Sequence, residues 1–260
     1  MKISKRSIFA GLCAISLSTL WAMPATAQEQ AVKAKPPMYT YIANWQIPRA
    51  HWAEMKSPAT NEDPMLEKAL SDGTIVGYGS DENLVHTKDG WTHDSWFSAM
   101  SMAGLVKILD NYYASENSTP PVLQSATKHY DEVLESRYYN WHSGAYKNGV
   151  LSVSMYKLKA DAPSHALDAI SGEVVAPLLE KLLADGTLVE YEIDTEAVHT
   201  SAPGTFAIVY VTANPEDLDK VDDAIRASIK ARPIEGVAFD AITDMSAHRD
   251  EMALSSGKFK

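Results

Sequence analysis

Cysteine is all but missing from this chain. Of its 260 residues only Cys13 is a cysteine, and it lies inside an N-terminal stretch with the marks of an export leader. Disulfides, thiol nucleophiles and cysteine zinc sites are thereby excluded together from the rest. Basic residues are scarce too, 23 Lys and Arg against 34 Asp and Glu. Such an acidic balance disfavours nucleic acid and anionic lipid as partners. No glycine-rich phosphate loop, nucleophile elbow or histidine-rich zinc motif occurs, and Gly77-Tyr78-Gly79 is not a nucleotide fingerprint.

The leader is read from three features. Lys2, Lys5 and Arg6 form a positive start, Ser7 to Trp21 is apolar, and Ala25-Thr26-Ala27 offers a small-x-small cleavage site. The apolar run is too short, and too clearly followed by that site, for a membrane span. Leu12 is too large for lipidation at Cys13. Cleavage near Ala27-Gln28 leaves 260 − 27 = 233 residues, and the leader takes three basic and no acidic residues with it, so the balance becomes 20 − 34 = −14. The expectation is a periplasmic or secreted protein with no membrane attachment after cleavage.

What the chain does contain is itself, twice. Pro64–Thr87 and Pro177–Thr200 align without a gap and share 14 of 24 positions, among them Asp-Gly-Thr, a tyrosine and a closing His-Thr. His129–Leu134 answers His248–Ala253 in the same way. Repeats on this scale decide the architecture. In the first half the pattern predicts a strand over 38–47, helix over 49–71 with a break at Asp63-Pro64, strands over 74–87 and 91–100, a helix over 102–114 and a strand within 129–140. Residues 142–148 are the expected linker.

The second half repeats that order. Residues 149–159 alternate as a strand. A helix follows with Leu167, Ile170, Val174, Leu178 and Leu182 on one stripe, interrupted by Pro177 and stopped by Asp185-Gly186. Residues 187–200 alternate strictly, with Glu190, Glu192 and Asp194 on the face opposite Val189, Tyr191 and Ile193. Thr205–Thr212 reads as a more fully buried strand, Asn214-Pro215 opens another helix, and 237–252 is expected to hold the last strand. The division predicted is leader 1–27, flexible N-terminus 28–37, first repeat 38–146, second repeat 149–254 and tail 255–260.

Two tandem βαββαβ units of this size resemble the fused form of the dimeric α/β-barrel superfamily, in which two ferredoxin-like halves pack sheet to sheet. The resemblance covers about residues 38–254 and rests on element order and duplication, with no motif specific to one family. It implies an α+β fold. The superfamily includes cofactor-independent monooxygenases acting on aromatic compounds, haem-degrading enzymes, chlorite dismutase-like haem proteins and members without demonstrated chemistry. Its ligands usually sit between the sheet and helices of a half. Fold does not fix function, so the site must be argued from residues.

Positions kept in both halves are expected to serve the fold. His86 and His199 fall in phase with an apolar strand face, as partly buried, hydrogen-bonded histidines. His129 with Asp131, and His248 with Asp250, share a strand face as His–carboxylate pairs. Departures between the halves are the better lead. Trp91–Met100 carries two tryptophans, a histidine and an aspartate where the second half has plain core, and Gly77 and Gly79 replace Glu190 and Glu192. Space, aromatics and a titratable group make the profile of a ligand pocket. The alternative is that Trp91 and Trp96 pack against the other half.

Asp89-Gly90 reads as a two-residue hairpin turn, a register that sets His86 opposite His93 with Cβ atoms about 5 Å apart. Two histidines need a third metal ligand, and Asp94 points the other way, so no metal site is assigned. The expected site lies in the first half. Tyr41, Asn44, Tyr78, Trp91, Trp96, His129 and Asp131 bind a flat, apolar-bodied small molecule there, and His86 or His93 is the general base or acid. No cofactor is required. Where the reaction is an oxygenation, the protein deprotonates and confines the substrate, as the resembling monooxygenases do. One alternative is a haem or metal binder with one of these histidines as axial ligand; another is a non-catalytic barrel with an aromatic interface. The internal pseudo-dimer is compatible with a monomer or a homodimer.

Overall fold

The computed structural model describes residues 30–55, 63–115, 120–200 and 202–260, so the expected export leader lies outside the described residues. Eight strands close into one antiparallel barrel. They are β1 (Met38–Gln46), β2 (Gly77–Asn83), β3 (His93–Ala99), β4 (Lys128–Trp141), β5 (Gly144–Lys157), β6 (Leu188–Val198), β7 (Thr205–Thr212) and β8 (Arg249–Phe259). Around the barrel the order is β1-β3-β2-β8-β5-β7-β6-β4. The first four strands thus lie as β4-β1-β3-β2, the last four as β8-β5-β7-β6, and the two sets meet at the β2–β8 and β4–β6 seams. Closure leaves no edge strand in the sheet.

The longer helices pack outside. Helix α1 (Pro64–Asp72) starts on Asp63, whose carboxylate accepts from the backbone N–H groups of Met65 and Leu66. Tyr112, on α2 (Met102–Ala114), also donates its hydroxyl to Asp63. In the second half a turn of helix runs through a π-bulge over Ser171–Val175 into α3 (Ala176–Ala184), so the interruption expected at Pro177 is a bulge just before it within one continuous helix. Helices α4 (Glu216–Ala231) and α5 (Pro233–Ile242) follow β7.

The duplicated phrase becomes duplicated structure. Gly73 and Gly186 end α1 and α3 with φ of 80° and 82°. After each, a threonine hydroxyl donates to the preceding aspartate at 2.6 Å, Thr74 to Asp72 and Thr187 to Asp185. Tyr78 Oη donates to Glu67 at 2.5 Å, and Tyr191 Oη to Glu180 at 2.7 Å, tying each strand to its helix. The paired tyrosines therefore fasten the layers together.

Strand alternation splits the side chains between two compartments. Tyr39, Tyr41, Tyr78 and Phe97 pack under α1 and α2 with Leu66, Leu70, Leu105 and Ile108. Tyr138, Tyr191, Ile193 and Tyr210 do the same under α3 and α4. The opposite faces of all eight strands point into the barrel.

Several boundaries differ from the sequence expectation. The β2–β3 ladder pairs Glu82 with His93, not His86, because β2 stops at Asn83 and residues 84–92 form a longer loop. His86 and His199 follow the ends of their strands and are exposed, not partly buried. Only His142 and Ser143 separate β4 from β5, so residues 144–148, expected in the linker, are strand. Val237–Ile242 is helical: Pro233 opens α5, and Phe239 packs edge-on against Tyr156. The last strand is displaced accordingly. The predicted tail, 255–260, forms most of the β2–β8 seam, with Phe259 opposite Gly77 and Lys260 N–H donating to Val76 O. The segment 30–37, expected to be flexible, has no regular structure but is tied down, Val32 N–H donating to Gly172 O and Lys35 N–H to Arg137 O.

Candidate functional site

The barrel encloses a lumen of about 850 Å³. Its lining divides sharply. Leu151, Val153 and Met155 from β5, with Ala207 and Val209 from β7, make an aliphatic wall. Carboxyl groups enter from β2, β3 and β6, namely Asp81, Asp94, Glu190, Glu192 and Asp194, each under a tenth exposed. Trp91 and Trp96 lie between. Trp91 donates Nε1–H to Glu251 at 2.7 Å, and Asn44 donates to Glu132 at 3.0 Å.

One end of the lumen is filled. Phe259 stacks on Trp141 and Tyr146 and meets Trp96 at 5.4 Å. Two glycines make that packing possible. A Cβ on Gly79 would lie 2.6 Å from the Trp96 ring and 2.6 Å from Ser256 O, and one on Gly77 would lie 2.4 Å from the Phe259 ring. The space that these glycines were expected to leave for a ligand is filled by the protein's own aromatics. The other end opens between loops 84–92 and 199–204, where Lys128 and Arg249 are the basic residues of the rim. Both are exposed, with Lys128 Nζ on Asp89 O and the Arg249 guanidinium on Met155 Sδ.

Crowding carboxyl groups in a buried space raises their pKa values. Burial pushes Asp81 and Asp194 up to about 6, even though the Ser255 and Ser136 hydroxyls lower them. Glu190 is pushed up to about 8 by burial and by the charges of Asp81 and Asp194. Asp94 and Glu192 are raised well above the ordinary range, by burial first, then by Asp81 for the one and by Asp194 and Glu190 for the other. Asp81 and Asp94 face each other across the β2–β3 ladder. Oδ1 of each is buried and has no hydrogen-bond partner. Such facing carboxyl groups differ in proton affinity, so one holds a proton while the other is ionised.

The predicted site residues do not converge. Asn44, Trp91 and Trp96 line the lumen, and Asp131 stands at its mouth. Tyr41 and Tyr78 lie on the opposite side of the sheet, Tyr41 against Phe97 at 5.2 Å and Tyr78 on Glu67. His129 stacks on Trp45, donates Nδ1–H to Asn44 O, and sits 3.3 Å from Asp131. His248 repeats this on Tyr156, 3.2 Å from Asp250. His93 is buried outside the barrel, and its ring and that of His86 both meet the Trp52 indole, at 5.6 and 4.8 Å. The two histidines share a neighbour but do not face each other.

Sequence reasoning passed over the lumen carboxylates. Their signal was present: Glu190, Glu192 and Asp194 lie on the strand face away from the helices, which in a closed barrel is the lumen. Asp81 and Asp194 are also identical positions of the repeat, and their seam partners are Ser255 and Ser136. A haem does not fit this donor set. No histidine lines the lumen, and the propionates would enter against carboxylates. Among the described residues, no group of three or more His, Cys, Asp or Glu is placed to hold a metal ion.

Comparison by sequence matches no family model and no curated protein. Comparison by structure does find relatives in fold. A "putative monooxygenase" of Lactobacillus acidophilus superposes with TM-score 0.58 at 14% identity, covering 85% of this chain and 94% of that one. A "putative monooxygenase" of Fusobacterium nucleatum gives 0.55 at 9%, covering 87% and 95%. An anthrone oxidase-like protein gives 0.50 at 10%, covering 85% and 92%. The likeness to all three is one of fold.

Proposed function

We propose that this is an exported small-molecule-binding protein of the monooxygenase-like kind, built as two tandem ferredoxin-like repeats, with its ligand in the barrel lumen. The Asp81–Asp94 pair, set beside Trp96 in a cavity of about 850 Å³, carries the proposal. That volume is within the range of small-molecule sites, and a large apolar wall with a few polar groups is their usual lining. The equal strand order of the two halves, the doubled Tyr–Glu ties and the doubled Asp–Ser seams support the tandem reading.

Proton transfer falls to carboxyl groups in this reading, and the residues need no bound cofactor to perform it. The ionised member of the pair takes a proton from the ligand, and its protonated neighbour supplies one elsewhere on the same molecule. Trp96 and Trp91 hold a flat body against the aliphatic wall. Two variants separate this from chemistry at the histidines. Asp94→Asn is expected to change ligand-induced melting shifts across a panel of aromatic alcohols and amines, and His93→Ala to leave them as they are. A panel that responds to His93→Ala and ignores Asp94→Asn would return the site to the outer face.

A further inference from the structure

The lumen is lopsided in charge. Eleven carboxyl groups and two basic side chains line it, and both basic groups stand at the rim. Farther in, β2 and β3 contribute Asp81 and Asp94, β4 contributes Glu132, β6 contributes Glu190, Glu192 and Asp194, and β8 contributes Glu251. Strand β5 adds Tyr146 near the floor and β4 adds Tyr130, both partly buried. Strands β1 and β7 send no ionisable side chain inward. At the mouth, Asp89, Asp131, Glu196 and Asp250 surround Lys128 and Arg249.

Serine, threonine and asparagine donors answer part of this demand. Thr40 and Ser136 donate to Glu192, and Asn44 to Glu132. They do not reach Asp81 Oδ1 or Asp94 Oδ1, which are buried acceptors with no donor from another residue. A buried acceptor without a donor is costly, and a set of like charges without a counter-charge is more so. Whatever fills the lumen is selected to supply both.

We infer that the ligand is an organic cation, a protonated amine on an aromatic or aliphatic body, its ammonium at Asp81 and Asp94 and its body along Leu151, Val153 and Val209 under Trp96. This rests on the lumen being the ligand site. An ammonium brings N–H donors and a positive charge together, and the neighbouring tryptophan faces also favour a cation. The absence of a three-ligand cluster among the described residues points away from a metal ion as occupant. Entry of the cation favours ionised carboxyl groups, so protons held in the empty lumen leave to solvent as it binds.

The test compares matched probes that differ in charge alone. Tryptamine, tryptophol and indole-3-acetate share one aromatic body, and hexylamine, hexanol and hexanoate share one aliphatic body. Each is titrated against the whole protein by calorimetry and melting shift, in buffers of low and high ionisation heat. The amine is expected to bind at least about tenfold tighter than its alcohol near neutral pH, with net proton release, and the preference to shrink as the lumen protonates on acidification. Asp81→Asn with Asp94→Asn should remove the preference without unfolding the chain, since it relieves like-charge repulsion. Alcohols that bind in the lumen as tightly as amines would overturn the inference and leave the lumen site standing. Failure of all six to bind at millimolar concentration, or binding unaffected by Val209→Trp, would overturn both.

Discussion

Glu190→Gln is the sharpest test of the buried carboxyl cluster. Glu190 is 5% exposed and is pushed from an ordinary 4.5 up to about 8. Keeping such a group ionised costs about 5 kcal/mol, at about 1.4 kcal/mol for each tenfold in proton affinity. The native chain holds this proton more tightly than the unfolded chain does. Its contribution is thus complete below about pH 4.5, falls by about 1.4 kcal/mol per pH unit up to about pH 8, and is gone above that. Glutamine cannot ionise, so the slope disappears with it. The variant is expected to match the parent within about 1 kcal/mol near pH 4.5 and to exceed it by about 2–5 kcal/mol near pH 9, the lower figure allowing for an imperfectly bonded amide. Urea denaturation followed by tryptophan fluorescence at acidic, neutral and alkaline pH measures both. A parent whose stability rises from acid to alkaline pH, or a variant weakened equally at both ends, would refute the reasoning.

Further expectations concern packing and the ties between layers. Gly79→Ala drives a methyl into Trp96 and Ser256 O, and should cost about 1–3 kcal/mol with a changed near-ultraviolet tryptophan signal. Tyr191→Phe, which removes the hydroxyl that a fully buried tyrosine donates to Glu180, should cost about 1–2 kcal/mol by denaturant melting. Tyr78→Phe should cost less, because its Glu67 partner is exposed and keeps Lys258 at 2.9 Å. Ser136→Ala removes a hydroxyl that lowers the pKa of Asp194, so it should steepen the loss of stability with rising pH.

Much of the fold was legible because it is local and said twice. The Asp-Gly-Thr helix stops, the break at Asp63-Pro64 and the strand Thr205–Thr212 depend on nearest neighbours, and the repeat states the first of these twice. The hairpin register was not, because Asp89-Gly90 offers a tight turn that the chain does not use as one. Gly90 N–H bonds Thr87 O inside a loop that starts at Leu84. The site suffered from a different confusion. A strand face bearing Glu, Glu and Asp looks the same to periodicity whether it meets water or the inside of a barrel. Only closure, a property of all eight strands together, tells the two apart. Trp91 and Trp96 were singled out as unusual and do line the lumen, but Tyr41 and Tyr78, one residue out of phase, had to face the helices.

The aromatic floor built on Phe259 has a kinetic consequence. A tube stopped at one end admits and discharges through the same opening, so exchange is single-file and an occupant must depart before its successor arrives. Residence time is then governed by the rim, where loops 84–92 and 199–204 stand, and selectivity by the floor and walls. Substitutions at Val85, Thr87 or Thr200 would alter how fast the lumen refills while leaving its equilibrium preference alone.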